Sequence, residues 1–226
     1  ESMRDLIRKL MPPDAFKGLL LDLEDRSRAA AQQAHTGVHN NFKLNAKRTR
    51  ALEGQARFRL LEEGFEEVCA LHGGKLLPSG VIPSSDLKVF QPFHRFEFEG
   101  RGFILGLAAI SEPNSLPAKN ISRRAGVTLN IHLQPHFDFE GTGPKVGDVF
   151  ILILVARDRV ISGKIEEIAV GVIDGGYEQY LYYESFDSYL QGHADAPVDP
   201  LQIPPSTVGA AIQLKSRITP FIPPEE

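Results

Sequence analysis

The most constraining feature of this sequence is the unbroken apolar run at residues 149–155, in which all seven side chains are hydrophobic. Alternate side chains of a strand point to opposite faces of its sheet, so this run would leave one apolar face in water if only one face were covered. Both faces must therefore be covered. A hairpin with its turn at Asp174, Gly175 and Gly176 follows. The chain is expected to contain a covered β-sheet.

Upstream of this sheet, the sequence predicts two amphipathic helices. The Pro-Pro-Asp sequence at residues 12–14 is a typical helix start. Apolar or small side chains then recur at steps of three and four residues as far as Thr36 and Gly37, where we expect the first helix to end. A second helix is expected over about residues 44–72, ended by two glycines. The short connection predicts an antiparallel helical hairpin.

The pattern changes to that of strands after a Pro- and Gly-rich stretch near residue 80. Strands are expected around residues 90–98, 103–110, 127–133, 149–155, 165–173 and 177–183. Short connections favour antiparallel pairing. We therefore expect an α+β fold, with an N-terminal antiparallel helical hairpin, a mainly antiparallel sheet of about six to seven strands and a Pro-rich C-terminal tail. The predicted divisions are a helical hairpin at 3–74, an antiparallel β-sheet domain at 75–192 and an extended tail at 193–226 that docks on the sheet or is partly disordered.

The tyrosines near the end of the sheet are a possible contact surface. Strand alternation predicts Tyr180 and Tyr182 on one face, and Tyr177 and Tyr183 on the other. We expect one pair in the core and the other accessible to a protein partner.

The expected compartment is the cytoplasm. The single cysteine, Cys69, has no partner in the chain for a disulfide, and the N-terminal residues do not have the pattern of a signal peptide. The longest apolar run is far shorter than the roughly 20 residues that span a bilayer. We therefore expect no membrane association.

Charge is unevenly distributed along the chain, although the net charge is only −4. Basic residues predominate between Arg26 and Arg59, where the only acidic residue is Glu53, whereas acids predominate over residues 138–195. Such a dipolar chain can bind a polyanion at its basic end or associate with another copy of itself.

Two basic segments are candidates for contact with nucleic acid or an acidic protein. The second helix presents Lys43, Lys47, Arg48, Arg50 and Arg57, which can follow a phosphate backbone. Residues 118–127 resemble the turn of a helix-turn-helix, but Pro113 and Pro117 prevent the preceding helix that this motif requires. We interpret them as a basic loop that leads into a strand. That loop offers Lys119, Asn120, Arg123 and Arg124 as donors to phosphate or carboxylate.

Histidine pairs give little indication of a metal site. His132 and His136 would lie about 13 Å apart along one strand, too far for one ion. His35 and His39 are set aside because we expect Gly37 to break the helix that would align them. The sequence therefore predicts no metal and no cofactor.

A metal-dependent nuclease is the alternative function. Such an enzyme needs carboxylates that hold Mg²⁺ and a lysine that positions the attacking water. The candidate set is Glu66, Asp86, Lys88, Glu97 and Glu99. Glu97 and Glu99 are expected on one face of a strand. Under this alternative, Mg²⁺ is the cofactor.

The sequence has no Walker loop, no dinucleotide-type glycine cluster and no G-x-S-x-G motif. The favoured function is therefore a non-catalytic cytoplasmic binding or regulatory protein that contacts nucleic acid or an acidic partner, as a homo-oligomer, most simply a homodimer, or with a partner protein. A further alternative is an assembly or defence-type interaction subunit whose helical hairpin binds another chain.

Overall fold

The computed structural model describes residues 2–77, 91–133 and 147–191, with only the backbone of His132. The chain divides after Gly192, and all described residues belong to the first of its two units. They form five α-helices and a six-stranded sheet, which confirms the α+β class and the N-terminal helices. The predicted tail, residues 193–226, lies outside the described residues.

The secondary-structure elements follow one another as helices, sheet and a final helix. The helices are α1 (Met3–Leu10), α2 (Pro13–Asn41), α3 (Ala46–Leu71), α4 (Ile121–Val127) and α5 (Phe186–Gln191). The strands are β1 (Lys75–Leu76), β2 (His94–Phe98), β3 (Arg101–Ile110), β4 (Val149–Arg157), β5 (Ile165–Ile173) and β6 (Tyr180–Ser185). They lie in the order β1-β2-β3-β4-β5-β6, and only the β3–β4 pair is parallel.

Helices α2 and α3 form the antiparallel hairpin expected from the sequence. At one end His72 Nε2 lies 2.7 Å from Asp22 Oδ2, and at the other His35 Nδ1 lies 3.3 Å from Glu53 Oε2. Small buried side chains in the second half of α2, including Ala30, Ala31 and Ala34, bring the two helices close together.

The prediction that the first helix ends at Thr36 and Gly37 is wrong. Helix α2 continues to Asn41. Ala34 and Val38, on either side of the glycine, are both buried, and this burial offsets the roughly 1 kcal/mol that a glycine costs inside a helix.

Helix α1 was not expected from the sequence. The Ser2 hydroxyl accepts a hydrogen bond from the backbone N–H of Asp5 at 3.2 Å, and the Asp5 carboxylate in turn accepts from the Ser2 backbone, which makes a capping box. Ile7 and Leu10 are buried against the core beneath the helix.

The sheet is covered on both faces, as the apolar run of β4 requires. Ile151 and Ile153 of that strand pack with α1, α2, α3 and α5 on one face. Phe150 and Leu152 pack on the other face with residues of α4. Helices α3 and α4 therefore lie on opposite faces.

The predicted strand at residues 127–133 is wrong, as is the loop expected to lead into it. Asn120 caps α4 by accepting a hydrogen bond from the Arg123 N–H at 2.7 Å, and a 3-10 helix (Thr128–Leu133) follows α4. Val127 and Asn130, three residues apart, are buried, whereas Ile131 is 50% exposed. Burial therefore follows the period of a helix. This segment lies between the parallel strands β3 and β4, whose connection must cross over the sheet.

A buried asparagine joins the 3-10 helix to the sheet. Asn130 is fully buried, and its Nδ2 donates to the carbonyl oxygens of Phe150 at 2.9 Å and of Ile173 at 3.0 Å. Its Oδ1 accepts from the Phe150 N–H at 2.9 Å. The first pair of the β4–β5 ladder is Leu152 with Gly171, so the backbone groups of Phe150 and Ile173 lie beyond its end. The Asn130 amide provides hydrogen bonds to three of these groups.

The predicted faces of the tyrosines are wrong in part. Ile173 pairs with Tyr180 but Val172 pairs with Tyr182, so β6 has a bulge at Leu181 that shifts the alternation. Tyr180 and Tyr183 consequently share a face, with ring centroids 5.1 Å apart, whereas Tyr182 joins the opposite face.

No described helix, not even the 29-residue α2, has an apolar stretch of the length that a bilayer requires.

Candidate anion-binding cavity

The basic half of α3 lines an open cavity at the carboxyl end of β4, with a volume of about 600 Å³. The second helix of the hairpin supplies one wall, and the end of β4 with the turn that follows it supplies the other. The lining residues with polar or charged side chains are His39, Thr49, Arg50, Glu53, Arg57, Arg157, Asp158, Arg159 and Ser162.

The turn between β4 and β5 is held in place by local hydrogen bonds. The Asp158 carboxylate accepts from the N–H groups of Val160 at 2.8 Å and Ile161 at 2.9 Å, and these bonds lower the pKa of that carboxyl below its ordinary value. Gly163 has a φ of +77°, and a Cβ at this position would lie 2.7 Å from the Cβ of His35 on α2. The turn therefore packs directly on the helical hairpin, which brings Ser162 to Glu53.

Glu53 is the buried carboxylate of the cavity wall, with a side chain that is 6% exposed. Ser162 Oγ lies 2.8 and 2.9 Å from its two oxygens, and His35 Nδ1 lies 3.3 Å from Oε2. Burial raises the pKa of Glu53, but the hydrogen bonds from Ser162 and His35 and the charge of Arg57 outweigh burial, so the net pKa is below its ordinary value. The ionised form of Glu53 is therefore favoured, and its oxygens already lie beside hydrogen-bond donors.

Four guanidinium groups surround the cavity, and only part of their charge is balanced. Arg159 forms an ion pair with Glu112 at 3.0 Å, and Arg57 lies 3.8 Å from Glu53. Within the described part of the chain, neither the Arg50 nor the Arg157 side chain has a hydrogen bond or an ion pair. The cavity therefore holds exposed cations that are free to bind an anion.

Arg57 and Arg157 lie close enough to repel each other. Burial lowers the pKa of Arg57, and the charge of Arg157 lowers it further. A guanidinium stays protonated at physiological pH despite such shifts, so the two positive charges persist side by side. An anion between them would relieve that repulsion.

The basic-helix residues that the sequence singled out fall into two groups. Arg50 and Arg57 line the cavity. Lys43, Lys47 and Arg48 are exposed at or just before the N-terminus of α3, which Asn45 caps. They extend the positive surface outward from the cavity.

The predicted basic loop lies on the other face of the sheet, with α4. Asn120 caps that helix and donates through Nδ2 to Gln91 Oε1 at 3.1 Å. Arg123 is buried, and its Nε has no hydrogen-bond partner among the described residues. Burial lowers the pKa of Arg123, opposed by the nearby Tyr177 and Glu62. Lys119 and Arg124 are exposed, with the Lys119 ammonium 5.6 Å from the centre of the Tyr177 ring.

The described carboxylates of the nuclease alternative are all exposed. Glu66 lies on α3, and Glu97 on β2 is paired with Arg95 at 3.1 Å. The expectation that Glu97 and Glu99 share a strand face is wrong, because β2 ends at Phe98 and Glu99 lies in the turn with a φ of +49°. Asp86 and Lys88 lie outside the described residues. The nuclease alternative stays a prediction.

Several cavity residues escaped the sequence-based prediction. Arg157, Arg159 and Ser162 are distant from α3 in sequence and belong to the segment in which acids predominate. They left no signal in the sequence, whereas His39 could have been found from its four-residue spacing to His35, which places both rings on one face of the uninterrupted α2.

No family model, no curated protein and no solved structure matches this chain. The expected homo-oligomer and partner protein stay predictions.

Proposed function

We propose that this protein binds nucleic acid, and that the arginine-lined cavity holds a phosphate of the backbone. The observation that carries the proposal is the convergence of Arg50, Arg57 and Arg157 from two separate segments of the chain on one cavity. Guanidinium groups suit this ligand because each presents paired N–H donors that match two phosphate oxygens.

The charges around the cavity support this ligand class. Both cavity carboxylates are already engaged, Glu53 by Ser162 and Asp158 by backbone N–H groups of its own turn. They leave Arg50 and Arg157 for a ligand. The N-terminus of the 26-residue α3 also lines the cavity through Ala46 and Thr49, and the partial positive charge at a helix N-terminus favours an anion there.

The surroundings of the cavity favour a polymer over a small anion. The exposed Lys43, Lys47 and Arg48 continue the positive surface beyond the cavity mouth. A single phosphate would occupy the cavity alone, whereas neighbouring phosphates of a strand would also meet these side chains. The cavity volume of about 600 Å³ lies in the usual range of ligand sites and exceeds what a lone phosphate needs.

The proposal is tested by fluorescence anisotropy with short labelled single-stranded DNA, single-stranded RNA and duplex DNA, over about 50 to 200 mM salt. We expect an affinity that falls as salt rises. The double substitution Arg50→Glu with Arg157→Glu should weaken binding and reduce the slope of log affinity against log salt by about 2, since each lost phosphate contact removes about 1.

The matched control is the double substitution Lys17→Glu with Lys75→Glu. It changes the net charge by the same amount at exposed positions near the other end of the helical hairpin. The control should bind like the unaltered protein. Wild-type affinity in the Arg50/Arg157 variant, or an equal loss in both variants, would overturn the proposed site, since the latter would trace binding to overall charge.

A further inference from the structure

His35, His39 and Glu53 bring three metal-ligand groups together at the edge of the cavity. One ligand atom from each residue lies within 4.8 Å of the other two. The two histidines are one helical turn apart on α2, with ring centroids 4.1 Å apart, and Glu53 projects from α3. This arrangement exists because α2 continues through Gly37.

The spacing of these atoms is that of ligands around a single ion. Zinc binds imidazole nitrogen and carboxylate oxygen at about 2.0–2.2 Å, so two ligands of a tetrahedral ion lie about 3.4 Å apart. His35 Nδ1 is 3.3 Å from Glu53 Oε2, and the His39 ring lies beside the same oxygen, with its Nδ1 at 3.8 Å and its Nε2 available to the ion. Small side-chain rotations are therefore sufficient to close a shell around an ion.

The groups behind these ligands are those that support a metal. Ser162 Oγ contacts both oxygens of Glu53, and His39 Nδ1 donates to the carbonyl oxygen of His35 at 2.9 Å, which leaves Nε2 of that ring as its ligand atom. An ionised carboxylate has about four lone-pair positions, so Glu53 can accept from Ser162 and still bind an ion. Such second-layer hydrogen bonds orient ligands in metal sites.

An ion can reach this cluster from solvent. His39 and Glu53 both line the open cavity, and the His39 side chain is 44% exposed. Three protein ligands with one side open leave a fourth position for water.

We propose that His35, His39 and Glu53 form a binding site for one divalent transition-metal ion of the zinc type. Two imidazoles and one carboxylate suit zinc and its neighbours, whereas Mg²⁺ and Ca²⁺ prefer shells of oxygen. The site differs from the carboxylate–lysine set of the nuclease alternative. It does not depend on the proposed binding of nucleic acid.

The test uses full-length protein freed of metal by dialysis against a chelator and then titrated with Zn²⁺ in a calorimeter. Titration with Co²⁺, followed by visible absorption, provides a second readout of ligand geometry. We expect one ion per chain. His39→Gln removes an exposed ligand and should weaken binding by more than about 100-fold, and Ser162→Ala, which changes only the support of Glu53, by about 10–100-fold.

The matched control is His72→Gln, which removes a histidine that, within the described ranges, contacts a single carboxylate, that of Asp22. It should bind Zn²⁺ like the unaltered protein. Far-ultraviolet circular dichroism of each variant separates loss of a ligand from loss of the fold. The proposal is overturned if folded His39→Gln protein binds Zn²⁺ as tightly as the unaltered protein, or if the unaltered protein binds none.

Discussion

Asn130 should be among the least replaceable polar residues of the described core. Its side chain is fully buried and bonds three backbone groups, the N–H and C=O of Phe150 and the C=O of Ile173. Asn130→Leu keeps a similar side-chain volume but leaves all three backbone groups without their hydrogen-bond partner. The backbone groups are enclosed by the core and have no ready access to water.

The expected loss follows from those three bonds. A buried polar group left without a partner costs about 1–3 kcal/mol, with the N–H of Phe150 at the upper end because it has a single hydrogen to donate. Each carbonyl retains a second lone pair, so its cost lies at the lower end. The sum is about 3–5 kcal/mol of unfolding free energy. For an ordered unit of this size, that corresponds to a melting temperature lower by roughly 6–20 °C.

Asn130→Asp separates the roles of donor and acceptor. The carboxylate still accepts from the Phe150 N–H but places a negative charge against two carbonyl oxygens. The folded state therefore raises the pKa of the new carboxyl, and the instability of this variant relative to wild type should decrease as the pH falls and the group becomes protonated.

Urea unfolding followed by circular dichroism measures these differences, with exposed Asn41→Leu as the control. The control should change stability by less than about 0.5 kcal/mol. The assigned role of the three hydrogen bonds would be refuted if Asn130→Leu lost less than about 1 kcal/mol of unfolding free energy while the slope of that free energy against urea concentration stayed unchanged.

Three further predictions concern groups buried in the described core. Burial lowers the pKa of His94 to about 4, so the unfolded chain takes up a proton that the folded chain does not. Stability should therefore fall by up to about 3 kcal/mol between pH 6.5 and 4, and His94→Gln should lose that part of the slope in urea titrations at each pH. Gly126→Ala should destabilise the fold by about 1–3 kcal/mol in thermal melts, because its Cβ would lie 2.5 Å from Cζ of Phe150; an unchanged melting temperature would contradict this packing. Burial raises the pKa of the Cys69 thiol well above its ordinary value, so we expect a thiol reagent to modify it only in urea, and rapid modification of native protein would refute its burial.

The apolar run of β4 predicted a doubly covered strand correctly because this signal is local. Seven consecutive hydrophobic side chains have few other places in a folded protein, whichever segments cover them. The sequence did not identify the parallel partner of β4, because pairing of Phe103 with Val149 depends on where the intervening chain lies. Short connections indicate hairpins, but they carry no information on a crossover.

Two errors arose because tertiary burial overrode local propensity. Gly37 indicated a helix end, yet a Cβ at this position would contact nothing within 4 Å, and burial of Ala34 and Val38 continues the helix. At residues 127–133, alternating apolar residues predicted a strand, but the polar Asn130 became the buried residue because it bonds the sheet backbone. Residue propensities do not predict that an asparagine will be buried to form such hydrogen bonds.

Only the α3 side of the candidate site could be predicted from the sequence. Arg50 and Arg57 were found because charge accumulates along one helix, a pattern visible in sequence. Arg157 ends β4 and Ser162 lies in the turn that follows, and the position of that turn depends on its contact with His35 of α2. A site assembled from distant segments leaves no spacing in the sequence by which to recognise it.

The parallel pairing of β3 with β4 also bears on the order in which the molecule folds. The β2–β3 and β5–β6 hairpins close over short stretches of chain, whereas β3–β4 pairing must close the whole crossover segment. Long closures are slow, because chain entropy is lost before the contacts that compensate it are formed. The cavity combines residues from both sides of this closure, because α3 precedes the crossover segment in the chain whereas Arg157 and Ser162 follow it. Ligand affinity should therefore arise with the last step of refolding, after most helical and hairpin structure is present.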